Sequence, residues 1–279
     1  TAITVSSVDM ARYFADAHWD NITIAFPVNW RQIDAIRQLA RQVHLELLVE
    51  SVETVQVLRE RLPEPVDVWI KIDVGAHRTG IPWQQPEAVL ELAGAIAKAP
   101  NLRLRGLLTH AGQTYHSASL AAVCRDYQET IEHLNGLRDA LSSQGFSALE
   151  ISVGDTPSAS LCTNFGAVDE IRPGNFVFYD AMMLTLGACS AEDVAVAVAC
   201  PVVARHPERQ QVVVYGGAIH LSKDYLESGG RKMYGRVALP QGEGWGAPLD
   251  GAYVAALSQE HGILYLPPES FERVHLGDL

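Results

Sequence analysis

The sequence of 279 residues lacks several features that mark whole classes of protein. It has no run of basic residues, and 21 Lys and Arg stand against 33 Asp and Glu, so nucleic acid and anionic membranes are not expected partners. No apolar stretch reaches the roughly 18–20 residues of a membrane span, and no basic segment followed by an apolar core opens the chain. We therefore expect a soluble cytoplasmic protein.

The cysteines are few and widely spaced. Cys124, Cys162, Cys189 and Cys200 are separated by 38, 27 and 11 positions, whereas metal and redox motifs place cysteines about two to four residues apart. Each cysteine lies in an apolar or helical stretch. The sequence therefore predicts four buried thiols in a reducing compartment.

The first two thirds of the chain alternates short apolar strands with helical patterns. Strands are predicted at residues 3–7, 22–26, 45–50, 66–74, 104–110, 149–154 and 169–174, with helices of about 10–25 residues between them. This alternation indicates a parallel sheet covered by helices, either open or closed into a barrel. Because a (β/α)8 barrel needs eight strands, a closed barrel implies that its first strand and helix are absent from this chain.

The pattern changes at about residue 185. Strands predicted at 194–204, 211–217, 253–258 and 262–266 are joined by glycine and proline turns without intervening helices. The fold class is therefore α/β, with a barrel domain over residues 1–184 and a smaller β domain over residues 185–279.

Polar side chains follow four of the predicted barrel strands, where the active sites of such barrels lie. The clusters are "GAHRTG" (75–80), "THAGQTYH" (109–116), "SVGDTPSAS" (152–160) and "EIRPGNFVFYD" (170–180). In the third cluster, Gly154 permits a tight turn, Asp155 or Thr156 can cap a helix, and Pro157 suits its first position, so free N–H groups there favour a phosphate. A phosphate-binding turn, two arginines and a tyrosine at successive strand ends predict a phosphorylated cofactor across the barrel mouth.

Each cluster also has a purely structural interpretation. Arg78 could pair with Asp73 or Glu50, and His110 could be a satisfied core histidine. Glycine, threonine and proline open many helices that bind nothing. A barrel that binds a phosphorylated sugar without any cofactor is a further alternative.

The four clusters, followed by "LSQEHG" in the β domain, resemble the pyridoxal-phosphate enzymes with an alanine-racemase-like barrel (fold type III), and among them the D-serine dehydratase and D-threonine aldolase group. The segment "HAGQTYH" leans toward the dehydratases, which include enzymes acting on D-threo-3-hydroxyaspartate. The resemblance implies a lyase that uses pyridoxal 5'-phosphate and a divalent metal (zinc, manganese or magnesium) to convert a D-3-hydroxy amino acid into a 2-keto acid and ammonia. Retro-aldol cleavage by a D-threonine aldolase, or pyridoxal-phosphate binding without catalysis, are the alternatives.

The resemblance also implies roles for individual residues. Arg78 would hydrogen-bond the phenolic oxygen of the cofactor, and Arg172 would lie at its pyridine nitrogen. The turn at residues 154–156 would hold the phosphate. The remaining residues implied in cofactor binding are Gln113 and Tyr115 beside the ring, Tyr179 near the phosphate, and His110.

Two features of that family are missing from the sequence. The lysine that forms the Schiff base belongs to the first barrel strand, and none of Lys71, Lys98, Lys223 and Lys232 fits it, since Lys71 lies within a later strand and the others lie at a helix end or in the β domain. The metal-binding His-x-Cys or His-x-Asp pair follows the segment that "VHLGDL" resembles. We therefore expect the catalytic lysine before residue 1 and the metal pair after residue 279.

The resemblance finally implies a two-fold homodimer. In that arrangement, the β domain of one protomer covers the cofactor site of the other. Glu260 and His261 of "LSQEHG" are then expected near a cofactor.

Overall fold

The chain divides into two compact units that meet between Gly174 and Asn175. The computed structural model describes residues 2–279, and of Ser228 the backbone alone. The strands of the first unit are β1 (Ala2–Val5), β2 (Asn21–Pro27), β3 (His44–Val49), β4 (Val66–Asp73), β5 (Ile81–Pro82), β6 (Leu102–Thr109), β7 (Glu150–Val153) and β8 (Glu170–Ile171). Its helices are α1 (Val8–Asp16), α2 (Ile33–Ala40), α3 (Val52–Arg61), α4 (Pro86–Ala97), α5 (Leu120–Ser143) and α6 (Thr156–Leu161).

The first unit contains one parallel sheet in the order β1-β2-β3-β4-β6-β7-β8, with β5 pairing with β4. All seven predicted barrel strands are present, although β8 is only two residues long. Because successive parallel strands are joined by right-handed crossovers, the helices cover one face of the sheet. The opposite face is called the inner face below. The predicted α/β barrel-like architecture is confirmed.

The helix-covered face holds the main hydrophobic core, which joins apolar side chains of the strands to those of α1–α5. On β4 the core-facing residues are Val68, Ile70 and Ile72, each fully buried. Burial of such a side chain stabilises the fold by roughly 1.5–3 kcal/mol. Serine side chains cap three of these helices, since Ser7, Ser51 and Ser119 accept the N–H groups of Met10, Thr54 and Ala122.

The inner face carries three layers of side chains, because alternate residues of a strand point to the same side. The middle layer consists of Leu48, Trp69 and Leu108, all buried. The lower layer, at the amino ends of the strands, consists of Glu46, Asp67, Arg103, Arg105 and Glu150. The upper layer, at the carboxyl ends and the turns that follow, consists of Glu50, Lys71, Asp73, Arg78, His110, Ser152, Glu170 and Arg172.

The second unit is mainly antiparallel. Its strands are β9 (Val202–His206), β10 (Gln211–Tyr215), β11 (Leu226–Ser228), β12 (Arg231–Met233), β13 (Pro240–Gln241), β14 (Gly244–Trp245), β15 (Tyr253–Leu257) and β16 (His261–Tyr265), with short helices α7 (Ala181–Leu186) and α8 (Pro268–Phe271). The main sheet has the order β15-β16-β10-β9, and two hairpins complete the unit. The strand predicted over 194–204 begins only at Val202, so the alternating valines and alanines before it lie outside any strand that the structure describes.

The cysteines differ from the prediction. Cys124 on α5 and Cys162 at the end of α6 are joined by a disulfide, whereas Cys189 and Cys200 are free thiols. The prediction of four thiols is therefore wrong for the first pair. The two cysteines are 38 residues apart in sequence, but the packing of α6 against α5 brings them together. Within residues 2–279, no helix is both long and apolar enough to cross a membrane.

Candidate functional site

The turn between β4 and β5 is fixed by two carboxylates. Asp73 accepts the backbone N–H groups of Gly75 and His77, at 3.0 and 3.1 Å, and Glu50 accepts that of Gly80 at 2.5 Å. Gly80 has a φ of +111°, and a Cβ atom there would lie 2.7 Å from the backbone nitrogen of Asp73. Only glycine fits at this position, so the turn has a single tight shape.

Arg78 projects from this turn without a partner. Asp73 and Glu50 bind backbone N–H groups instead, and among the residues that the structure describes none forms a hydrogen bond or an ion pair with Arg78. The structural alternative, in which Arg78 pairs with either carboxylate, is therefore wrong. An exposed guanidinium with five free donors at the carboxyl end of β4 is available for an anionic oxygen.

Lys71 lies in the same layer and is buried, with 5% of its surface exposed. Burial, together with the nearby charges of Arg172 and Arg78, lowers the pKa of this amine to about 7 against the opposing effect of Asp73 and Glu50. Near pH 7 the amine is therefore partly neutral. Lys71 was not predicted as a site residue because it lies within a strand. It is two residues from both Trp69 and Asp73, however, and alternate residues of a strand point to the same face, so the sequence already indicated the inner face for its side chain.

His110 follows β6 and has a defined tautomer. Its Nδ1 lies 2.7 Å from the carbonyl oxygen of Gly154, and because a carbonyl only accepts, Nδ1 carries the proton. Burial lowers the pKa of His110 to about 4, with Arg78 as the next cause. The ring is neutral at pH 7, which leaves Nε2 as a hydrogen-bond acceptor.

Arg172 lies just after β8 and is held by several acceptors. Its Nε donates to Ser152 Oγ at 2.6 Å and lies 3.0 Å from Glu170, and one Nη donates to the Thr109 carbonyl at 2.8 Å. Burial lowers the pKa of Arg172 to about 10, opposed by Glu170, so the group stays cationic at pH 7. Its other Nη group lies beside Gly154, where a Cβ atom would come within 3.0 Å of it.

The turn after β7 supplies hydroxyl groups as well as a cap. Asp155 caps α6 by accepting the N–H of Ser158 at 2.7 Å, and burial raises its pKa. Tyr115 Oη accepts the N–H of Thr156 at 3.3 Å. The buried hydroxyls of Thr156 and Ser158 have no partner, so this turn offers two unsatisfied donors, and Ser158 was not among the predicted residues.

Gln113 and Tyr179 have different positions from the others. Gln113 Nε2 lies 3.4 Å from the Val74 carbonyl and 3.3 Å from Thr130 Oγ1, while its Oε1 is buried without a partner. Gln113 therefore joins the turn after β4 to α5. Tyr179 lies in the second unit with a φ of +50°. The first unit thus brings together Arg78, His110, Tyr115, Gly154, Asp155, Thr156 and Arg172, whereas Gln113 is bound to Val74 and Thr130.

One group of side chains among the described residues has the spacing of metal ligands, and it lies in the lower layer. It consists of His44, Glu46 and Asp67. Arg103 forms a two-pronged ion pair with Asp67, and Glu46 accepts from Trp69 Nε1 at 2.6 Å and from Thr23 Oγ1 at 2.9 Å. Because cationic and neutral donors already satisfy these carboxylates, this group does not fit a catalytic metal.

Two known protein families match the sequence of this chain. The "Alanine racemase, N-terminal domain" profile matches residues 1–181, and the "Putative serine dehydratase domain" profile matches residues 195–279.

Individual relatives agree with the profiles. The D-threo-3-hydroxyaspartate dehydratase of Delftia sp. is 31% identical over 95% of this chain and 70% of its own length, and its solved structure superposes with a TM-score of 0.87 over the whole chain and 75% of that structure. The D-serine dehydratase of Schizosaccharomyces pombe is 29% identical over 88% of this chain, which spans 61% of that relative. A match to a 3-hydroxy-D-aspartate aldolase covers only 48% of the chain.

A cysteine-to-alanine mutant of the Delftia enzyme has been solved in a metal-free form. The family profile covers more than half of this chain, and the hydroxyaspartate dehydratase matches nearly all of it. The chain therefore belongs to the alanine-racemase-like dehydratase family, in which an alanine racemase N-terminal domain precedes a serine dehydratase domain, as its motifs predicted.

Proposed function

We propose that the protein is a pyridoxal-phosphate-dependent dehydratase of a D-3-hydroxy amino acid, with D-threo-3-hydroxyaspartate and D-serine as the first candidates. The observation that carries the proposal is the unpaired guanidinium of Arg78 in the upper layer, next to the neutral ring of His110 and the buried amine of Lys71. The expected products are a 2-keto acid and ammonia.

The described residues fit a phosphorylated, anionic cofactor. The unsatisfied hydroxyls of Thr156 and Ser158 suit phosphate oxygens, and Gly154 keeps the turn open beside Arg172. Arg78 suits the phenolic oxygen, and Arg172 is assigned to the pyridine nitrogen. When bound, pyridoxal phosphate supplies an electron sink for the charge that develops on the α carbon of the substrate.

The protein's own groups hold the protons around that site. His110 Nδ1 keeps its proton and donates it in a hydrogen bond to the Gly154 carbonyl, so His110 orients a ligand by accepting at Nε2. Lys71 Nζ exchanges a proton near neutral pH. Arg78 and Arg172 keep their positive charge and attract the negative groups of cofactor and substrate.

The proposal includes a divalent metal, because a mutant of a D-threo-3-hydroxyaspartate dehydratase has been solved specifically in a metal-free form. Since the His44, Glu46 and Asp67 group is engaged by Arg103 and Trp69, no catalytic step is assigned to it. Chelation should stop turnover of the protein expressed from its complete gene while pyridoxal phosphate stays bound. Full turnover after verified metal removal would overturn the metal requirement.

The same proposal includes the cellular setting and assembly. We assign residues 1–184 to cofactor binding and residues 185–279 to the β domain, with a cytoplasmic homodimer as the working form. His261 is exposed on β16 opposite Tyr215, where a partner subunit could use it. Sedimentation tests the dimer, since a fully active monomer at micromolar concentration would exclude a shared site.

The test of function separates the two reactions. The purified protein is supplied with pyridoxal phosphate and a panel of D-3-hydroxy amino acids, and ammonia, keto acid and glycine are measured. Ammonia and keto acid in equal amounts support the dehydratase, whereas glycine with an aldehyde product indicates aldol cleavage. Cofactor absorbance without any product favours a binding protein, and no cofactor binding favours a sugar-phosphate barrel.

A further inference from the structure

The disulfide of the first unit lies between the two loops that carry most of the proposed cofactor contacts. Cys124 lies near the start of α5, directly after the loop that contains His110, Gln113 and Tyr115. Cys162 ends α6, whose first residues are Thr156 and Pro157. The Cα atoms of the two cysteines are 5.5 Å apart. The bond therefore joins the loop after β6 to the loop and helix after β7.

Only a few hydrogen bonds join the same two loops. His110 donates to the Gly154 carbonyl at 2.7 Å, Thr114 Oγ1 donates to Asp155 at 2.9 Å, and the Thr156 N–H donates to Tyr115 Oη at 3.3 Å. Helix α6 is six residues long, and an isolated helix of that length is unstable in water. The position of its hydroxyls therefore depends on these links, on the packing of α6 against α5 and on the disulfide.

The first unit does not need a disulfide for its overall stability. Its continuous core spans seven strands and five helices, whereas disulfides are essential mainly in small domains that lack such a core. Cys189 and Cys200 remain thiols in the same protein. The effect of this bond is therefore concentrated on α6 and its neighbouring loop.

We propose that Cys124 and Cys162 form a reversible thiol–disulfide site whose oxidised form holds the loops after β6 and β7 in the cofactor-binding arrangement. The effect on cofactor affinity rests on the proposed function, while the effect on the loops does not. Cys124 is half-buried, whereas Cys162 is buried.

The chemistry is a thiol–disulfide exchange with a dithiol. A thiolate of the reductant attacks one sulfur and breaks the protein disulfide, giving a mixed disulfide and a free protein thiol. The second thiol of the reductant then displaces the other protein sulfur. Two electrons and two protons pass to Cys124 and Cys162, and the reductant leaves as a disulfide. A small-molecule disulfide such as oxidised glutathione reverses the reaction.

The test compares oxidised and dithiothreitol-reduced protein after thiols have been counted in denaturant. The reduced form should show two more thiols than the oxidised form. In protein without cofactor, reduction should speed amide hydrogen exchange in peptides covering residues 154–162. The Kd for pyridoxal phosphate should rise about five-fold or more, because α6 then keeps its hydrogen bonds and its packing against α5 but loses its covalent restraint.

Two double variants provide the controls. C124S/C162S should resemble the reduced protein in exchange and affinity and should not respond to dithiothreitol. C189S/C200S removes the same number of thiols elsewhere and should keep the full response.

Three outcomes would count against the proposal or separate it from the proposed function. Identical exchange in verified oxidised and reduced protein would overturn the redox site, as would reduced Cys124 and Cys162 that oxidised glutathione cannot join again. Altered exchange with an unchanged Kd would overturn the link to the cofactor. If pyridoxal phosphate binds in neither state, the proposed function fails, and the exchange measurement alone still decides whether the bond controls the loops.

Discussion

The lower and upper layers of the inner face contain similar numbers of charged groups and use them differently. In the lower layer, Arg103 pairs with Asp67 and Arg105 pairs with Glu150 at 2.9 Å. In the upper layer, Asp73 and Glu50 bind backbone N–H groups, so Arg78 and Lys71 have no acidic partner among the described residues. Charged side chains that form ion pairs within a layer stabilise the fold, whereas cations without an acidic partner at the carboxyl ends of strands are available to bind an anionic ligand.

The largest expected effect comes from Lys71→Met. Below pH 7 the buried amine is protonated in both folded and unfolded states, so its desolvation cost, on the order of 4 kcal/mol, is present in full. Between pH 7 and about 10.5 the unfolded state binds more protons, so wild-type stability rises with pH and the cost disappears. The substitution should therefore raise the free energy of unfolding at pH 6 and lose this advantage by pH 10.5.

Urea titrations at several pH values measure this difference. Lys98→Met is the control, because Lys98 is exposed at the end of α4. A gain that is equal for both variants, or independent of pH, would show that Lys71 is not a strained cation.

Arg78→Ala should affect the ligand and leave the fold unchanged. Loss of a charge-assisted hydrogen bond costs about 2 kcal/mol, so the Kd for pyridoxal phosphate should rise roughly 30-fold while the free energy of unfolding changes little. Fluorescence titration gives the Kd, and Arg61→Ala, on the exposed face of α3, is the matched control. Unchanged affinity and cofactor absorbance would remove Arg78 from the site.

Arg103→Ala should have the opposite pattern. It leaves the buried Asp67 with weaker partners and should destabilise the fold by about 1–2 kcal/mol, a value reduced because the arginine itself is largely exposed. The Kd for pyridoxal phosphate should stay within about two-fold of wild type. A strong loss of cofactor affinity in a folded Arg103→Ala protein would contradict the separation of the two layers.

The smallest expected change concerns His110, whose charge should not vary between pH 5.5 and pH 8. Because its pKa is lowered to about 4, the ring stays neutral with the proton on Nδ1. Nitrogen-15 spectra of labelled protein, with His110→Gln to assign the signals, should show no titration in this range. A midpoint near pH 6.5 would mean that the ring is solvated and not bound to Gly154.

The strands of the first unit could be predicted from the sequence, whereas the pairing of individual side chains could not. The barrel strands were predictable because parallel strands covered by helices are near-continuous apolar runs. The partner of Arg78 was not, since Asp73, Glu50 and a ligand are equally compatible with the local sequence. Cys124 and Cys162 were read as thiols because a 38-residue separation carries no local signal of proximity. Lys71 was considered only as the Schiff-base lysine and rejected because it lies within a strand, and that strand is buried on both faces, which obscures the alternation.

The middle layer sets the depth of the site. Trp69 is fully buried between Leu48 and Leu108, and its indole N–H is bound to Glu46 below. The Trp69 ring forms the floor of the site for a molecule that enters from the loops. Space for larger substrates must therefore come from changes in the loops. An engineer who tried to deepen the pocket by shortening Trp69 would remove a donor from a buried carboxylate and open a passage toward the opposite end of the strands.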